Sequence, residues 1–184
     1  MGEIYTKSLE YILDSVDKSL RSVSDLDLEK ASKTIIKSNQ VFIYGAGRSG
    51  LVGRTFAMRL MQIGFTAFFI GETITPAVKE EDCAIFISKT GETQTAIQAA
   101  RIIYERVGAD IIVITASPES TLAKYADEIV TLDIVKTDKD GTLAPLGTIF
   151  ENSAMIFLDA FIAELMEKIG ESEEGMKTRH PILI

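Results

Sequence analysis

A short apolar run, Cys83-Ala84-Ile85-Phe86-Ile87, stops abruptly at Ser88-Lys89-Thr90-Gly91-Glu92-Thr93. The apolar part reads as a buried strand and the polar part as a turn feeding a helix that starts near Glu92. The first N–H groups of a helix lack intrahelical partners. They would point towards the hydroxyls of Ser88, Thr90 and Thr93, and such a place suits a phosphate. In a plainer reading Thr90 merely caps the helix, helped by Thr93, and for one loop alone that reading carries more weight.

The same grammar recurs along the chain. Val41 to Tyr44 is an apolar strand followed by Gly45-Ala46-Gly47-Arg48-Ser49-Gly50 and a helical pattern of Leu51, Val52, Phe56, Leu60, Met61 and Ile63. Phe65 to Ile70 is a second strand, ending at Gly71-Glu72-Thr73-Ile74-Thr75-Pro76, where the proline forbids simple continuation. After the Cys83 strand and its helix come a strand over Asp110 to Thr115, a short helix over Ser120 to Tyr125 and a strand over Ile129 to Leu132. This alternation predicts a three-layer αβα fold around a five-stranded, parallel, doubly wound sheet. In the order 2-1-3-4-5 the turns after the first and third strands flank the switch-point crevice, where such folds bind ligands. Gly45 to Gly50 and Ser88 to Thr93 occupy those two turns, and together they outweigh the plain helix cap.

Two amphipathic helices precede the sheet, Ile4 to Leu20 and Asp27 to Lys37, the second capped by Asp25 or Asp27. They either cover the sheet or pack against another subunit. Lys136 to Gly147 reads as a polar, mobile loop. The helix expected over Thr148 to Ile169 is apolar enough to bury two faces, one on the sheet and one against a partner. Glu171 to Lys177 reads as a charged linker, and Thr178 to Ile184 as a tail holding the single histidine, His180.

A length of 184 residues, 46% apolar and 25% charged, gives one domain over 1–184, with N-terminal helices over 1–38 and a tail over 171–184. A net charge of −8 opposes binding to nucleic acid or an anionic membrane, although a small phosphorylated ligand answers to the local field. One cysteine and one histidine leave no disulfide framework and no zinc-ligand set. Cys83, inside the strand, reads as an inert buried thiol. Met1 to Lys18 is too charged for a signal peptide, and no apolar run reaches membrane-spanning length, so a cytoplasmic protein is expected.

Several residues carry candidate chemistry. Gly45, Gly47 and Gly50 match G-x-G-x-x-G, and Glu72 stands about where a ribose-binding acid would in a dinucleotide fold. An oxidoreductase is therefore one alternative, opposed by the short chain and by the polar, cationic turn that Arg48 and Ser49 make. Arg48 can reach a ligand from its turn, whereas Arg54 and Arg59 are expected to pair with surface acids. Lys89 either adds charge at a phosphate or points to solvent. Glu151 either complements the dipole of its helix or, as a carboxylate in an apolar setting, serves as a general base. His180 is either an ordinary exposed histidine or a group delivered to a site by the tail.

Taken together, Gly45 to Gly50, Gly71 to Pro76, Ser88 to Thr93, Gly147-Thr148-Ile149-Phe150-Glu151 and Arg179-His180 resemble the sugar isomerase (SIS) family, from about Val41 to the C-terminus. Within it they are most similar to members that act on hexulose phosphates. In those members the loop is usually Ser-Gly-Ser-Gly-x-Thr; here Lys89 replaces the first glycine and Thr90 the second serine. The resemblance implies a flavodoxin-like fold and interconversion of D-arabino-hex-3-ulose 6-phosphate and D-fructose 6-phosphate through a cis-enediol(ate). That step belongs to the ribulose monophosphate pathway of formaldehyde fixation, and needs no metal or redox cofactor. It further implies Glu151 as proton acceptor, with His180 a candidate proton shuttle that a neighbouring subunit could supply. Gly47, Arg48 and Ser49 would contact the sugar, and Ser88, Lys89, Thr90, Gly91, Glu92 and Thr93 the phosphate. Family members are usually dimers of dimers, which would account for the over-apolar helix. A non-catalytic sugar-phosphate sensor is the other alternative; it would keep the hydroxyl loop without needing Glu151 or His180.

Overall fold

The apolar runs become strands at the register that their alternation demands. β1 (Val41–Gly45), β2 (Ala67–Phe69), β3 (Cys83–Ile87), β4 (Asp110–Thr115) and β5 (Glu128–Thr131) form one parallel sheet in the order β2-β1-β3-β4-β5. The computed structural model describes residues 2–181, so residues 182–184 of the expected tail lie outside it. Successive residues point to opposite faces of a strand. Val41, Ile43, Ile85, Ile87, Ile112 and Ile114 accordingly face one helical layer, and Phe42, Ala84, Phe86, Ile111 and Val113 the other. Burial of each such large side chain contributes about 1.5–3 kcal/mol.

The helices are α1 (Glu3–Arg21), α2 (Asp25–Lys37), α3 (Gly47–Gln62), α4 (Gln94–Arg106), α5 (Asp140–Leu143), α6 (Thr148–Ile169) and α7 (Glu173–Thr178), with a 3-10 turn over Leu122–Tyr125. α2, α3 and α6 cover one face through Ile35, Phe56, Leu60, Phe150 and Phe157; α4 and the 3-10 turn cover the other through Ala96, Ala100, Ile103 and Leu122. The doubly wound αβα architecture is the one that the alternation predicts. Of the two leading helices, α2 covers the sheet as one of its expected roles, while α1 packs on its own chain, through Val16 against Ala144 and against Ile149 at the start of α6. The outward side of α1 leaves Ile4, Leu9 and Leu13 exposed. No helix among the described residues is long and apolar enough to cross a membrane.

Some local expectations need correction. α2 is capped by Ser24, whose hydroxyl accepts the Asp27 N–H, and not by Asp25 or Asp27, which lie inside the first turn. The 136–147 stretch contains α5, held when the Tyr11 hydroxyl on α1 donates to Asp140 and the Ser8 hydroxyl donates to the Leu143 carbonyl at 2.5 Å. The charged linker folds as α7 because Ser172 caps it, accepting the Gly175 N–H at 3.1 Å.

Two of the three glycines at the end of β1 and the start of α3 are demanded by packing. A Cβ on Gly45 would stand 2.6 Å from the Ser49 carbonyl oxygen, and one on Gly50 only 2.5 Å from the Gly45 carbonyl oxygen. The strand end and the first turn of α3 therefore touch backbone to backbone. Gly47, at φ +57, instead supplies a left-handed turn that opens onto free space. We expect Gly50→Ala to cost about 1–3 kcal/mol through overpacking, read as a lower urea midpoint with an unchanged slope. An unchanged midpoint would contradict this close approach.

Candidate active site

β1 and β3 are neighbours whose last paired residues are Gly45 and Ile87, so the turns beginning at Ala46 and Ser88 emerge side by side. α3 and α4 leave on opposite faces, and the switch-point crevice lies between their first turns.

The hydroxyl loop is braced from behind and open in front. The Lys89 carbonyl accepts the Ala116 N–H at 3.1 Å and the Thr115 hydroxyl at 3.2 Å. Gly91 sits at φ +62 directly against the Ser120 side chain, where no Cβ would fit, and its carbonyl accepts the Leu122 N–H at 3.0 Å. Ser88, which is buried, accepts the Gly91 N–H at 3.2 Å through its hydroxyl, and Thr90 accepts the Glu92 N–H at 3.3 Å. Each hydroxyl thus spends acceptor capacity on the loop and keeps its own proton to donate.

α4 begins at Gln94, two residues beyond Glu92, so Thr93 and not Thr90 occupies the N-cap position. The Thr93 side chain makes no capping hydrogen bond and lies 3.4 Å from the Ser88 hydroxyl instead. A helix whose cap residue turns its hydroxyl away leaves the first-turn N–H groups available to an anion.

Across the crevice stands Glu151, in the first turn of α6. Its carboxylate is largely buried and folds back over Gly147; a Cβ on that glycine would lie 2.5 Å from Oε1. Arg48 Nε approaches Oε2 to 2.6 Å, without the alignment of a hydrogen bond, so the contact is one of charge. Arg48, Leu51, Val52, Glu151, Asn152 and Met155 line a cleft of about 310 Å³ between α3 and α6. Ser49 is buried beside Arg48, and Gly47 opens the turn.

Arg48, Ser49, Gly47 and Glu151 are therefore brought together next to the Ser88 to Thr93 loop. His180 is not among them. Arg179, its neighbour, donates to the carbonyl of Gln62 at the far end of α3, and the 16 residues of α3 span about 24 Å. Arg54 pairs with Glu72 at 2.9 Å and stacks over Phe69, while Arg59 pairs with Asp159 at 3.8 Å. Both arginines bind surface acids as expected, and Glu72 is engaged by an arginine.

Sequence reasoning missed how Glu92 and Lys89 work locally. Glu92 Oε1 accepts the Thr121 N–H at 2.8 Å and so ties the hydroxyl loop to the turn behind it. Lys89 Nζ crosses to the Leu146 carbonyl at 3.3 Å, just ahead of α6. Neither partner is near in sequence, and no local pattern points to it.

Residues 34–163 match the SIS domain family model, and the chain belongs to that family. A 3-hexulose-6-phosphate isomerase of Bacillus subtilis is 38% identical over 95% of this chain and 97% of its own. One of Methanocaldococcus jannaschii is 38% identical over 83% of this chain and 82% of its own. The crystal structure of a hypothetical protein from Methanococcus jannaschii, from which a molecular function of 3-hexulose-6-phosphate isomerase was inferred, superposes with a TM-score of 0.84 at 35% identity, covering 94% of this chain and 98% of that one.

The Thr121 N–H donated to Glu92 holds its carboxyl below the usual range. A carboxylate whose pKa is depressed by folding stabilises above its unfolded pKa, and the benefit disappears as pH falls through the folded value. Glu92→Gln should therefore lower the urea midpoint at pH 7, with the gap to the native protein closing as pH falls below about 4. A gap that is constant across pH would contradict the charge-assisted tie.

Proposed function

We propose that the chain is a 3-hexulose-6-phosphate isomerase, interconverting D-arabino-hex-3-ulose 6-phosphate and D-fructose 6-phosphate. The observation that carries this reading is the meeting, at one switch point, of an anion-binding loop with a largely buried carboxylate beside an arginine. The Bacillus subtilis relative, matched over nearly its full length, supports it.

In this reading Ser88, Thr90 and Thr93, with the loop N–H groups and the first turn of α4, hold the phosphate. Lys89, Gly91 and Glu92 shape that loop. Gly47, Arg48 and Ser49 meet the sugar chain. Glu151 takes the proton from C2, the C2–H electrons form the C2=C3 bond, and the C3 oxygen gains the negative charge. The C2 hydroxyl proton passes to the C3 oxygen, and Glu151 returns its proton to C3 as the carbonyl forms at C2. Arg48 is well exposed and can turn from Glu151 to another anion. As the enediolate forms, Arg48 turns to its oxygen and stabilises the developing negative charge. His180 belongs to the site only if a second copy delivers it, as a shuttle between sugar oxygens.

We further infer one SIS domain over the whole chain, working in the cytoplasm on a small sugar phosphate as a homotetramer. Leu51 and Met58 on α3 and Ile156 on α6 are exposed and apolar, which supports assembly through these helices.

A coupled assay for fructose 6-phosphate tests the chemistry. Glu151→Gln should lower turnover by about two or more orders of magnitude while substrate binding is largely kept; an unchanged rate would remove Glu151 as the base. The double variant Ser88→Ala, Thr93→Ala should chiefly raise KM, by about tenfold or more, because two phosphate donors are lost. An unaltered KM would sink the phosphate assignment.

A further inference from the structure

We propose that Lys89 couples phosphate binding to the placement of Glu151, acting as a positioning residue between the two halves of the site. The inference rests on the isomerase reading. Lys89 stands in the hydroxyl loop, and its backbone is fixed by the two donors from the end of β4 that its carbonyl accepts. Its side chain is not engaged by a carboxylate within ion-pair distance among the described residues. The ammonium donates to a neutral acceptor, the Leu146 carbonyl, at 3.3 Å. Arg48, Arg54 and Arg59 differ, each being paired with an acid.

The far end of this contact is a strained residue. Leu146 has φ +58, in the left-handed region that strains a residue bearing a Cβ, and its side chain is 95% exposed. No packing of that side chain offsets the strain, whereas the Lys89 ammonium binds the carbonyl. The next residue, Gly147, is the floor on which the Glu151 carboxylate rests. A shift of the 146–147 peptide therefore moves the surface beneath the proton acceptor.

An ammonium carries three N–H donors. Lys89 can keep the Leu146 carbonyl and at the same time donate to a phosphate oxygen in its own loop. A bound phosphate then draws the ammonium, and with it the start of α6, towards the crevice and fixes Glu151 over the sugar. Phosphate binding energy is thereby realised partly in turnover, the economy expected when a remote group orients the reacting centre.

The test uses the full chain with Lys89→Met and Lys89→Arg. Inorganic phosphate affinity is measured by titration calorimetry, and kcat and KM by the coupled assay. The methionine variant should bind phosphate about tenfold more weakly and also lose about tenfold in kcat, and the arginine variant should recover most of both. Phosphate weakened with kcat unchanged would reduce Lys89 to a plain phosphate contact and overturn the coupling. Both constants unchanged in the methionine variant would overturn it as well, with the isomerase reading intact. A native protein that binds phosphate but does not turn over the hexulose phosphate would overturn the isomerase reading and the coupling together.

Discussion

The parallel pairing of β1 with β3 is the constraint on which the rest of the site depends. It joins two stretches some forty residues apart and sets Gly45 opposite Ile87, so that both strands end level. Because α3 and α4 leave on opposite faces, a crevice is expected above the two strand ends. The residues just after each strand are then forced to face that space. On one side stand Gly47, Arg48 and Ser49, and on the other the hydroxyl loop and an uncapped helix terminus. The missing side chains of Gly45 and Gly50 let α3 begin immediately, which keeps Arg48 close to the sheet.

Glu151 arrives from a third direction, and its setting is electrostatically asymmetric. The carboxylate is largely buried while its arginine partner is mostly in solvent. An exposed arginine is easily exchanged between anions. In the proposed reaction the same arginine turns from the carboxylate to the developing enediolate oxygen.

Much of this is legible in the sequence. Short apolar strands alternating with helical patterns imply the sheet and its order, and the glycine and hydroxyl turns mark the switch point. Arg48, Ser88 and Thr93 can be chosen because each lies within a few residues of a strand end. Glu151 can be chosen from its place in the first turn of an apolar helix, yet its contact with Arg48 cannot, since that depends on how α6 packs against α3. The hidden features have a common cause: Glu92 to Thr121, Lys89 to Leu146 and Tyr11 to Asp140 are long-range polar contacts without periodicity. The helix start slips from Glu92 to Gln94 for a related reason. Thr93 occupies the cap position but spends its hydroxyl towards Ser88, a tertiary choice that local capping rules do not contain. Within one chain His180 lies beside the far end of α3, away from Arg48 and Glu151, so a tail that delivers it to a site would deliver it to that of a second copy.

The central claim, that a carboxylate at the switch point moves a proton between adjacent carbons of a phosphate-anchored sugar, is tested most directly by hydrogen exchange in heavy water. Fructose 6-phosphate is incubated with the native protein in D2O and the hydrogen at C3 is followed by NMR. Proton transfer through an enediolate by a base in contact with solvent predicts progressive replacement of that hydrogen by deuterium, and loss of the exchange in the Glu151→Gln protein while the sugar phosphate still binds. Isomerisation that proceeds at full rate with the C3 hydrogen fully retained, or exchange that persists undiminished without the Glu151 carboxylate, would contradict it.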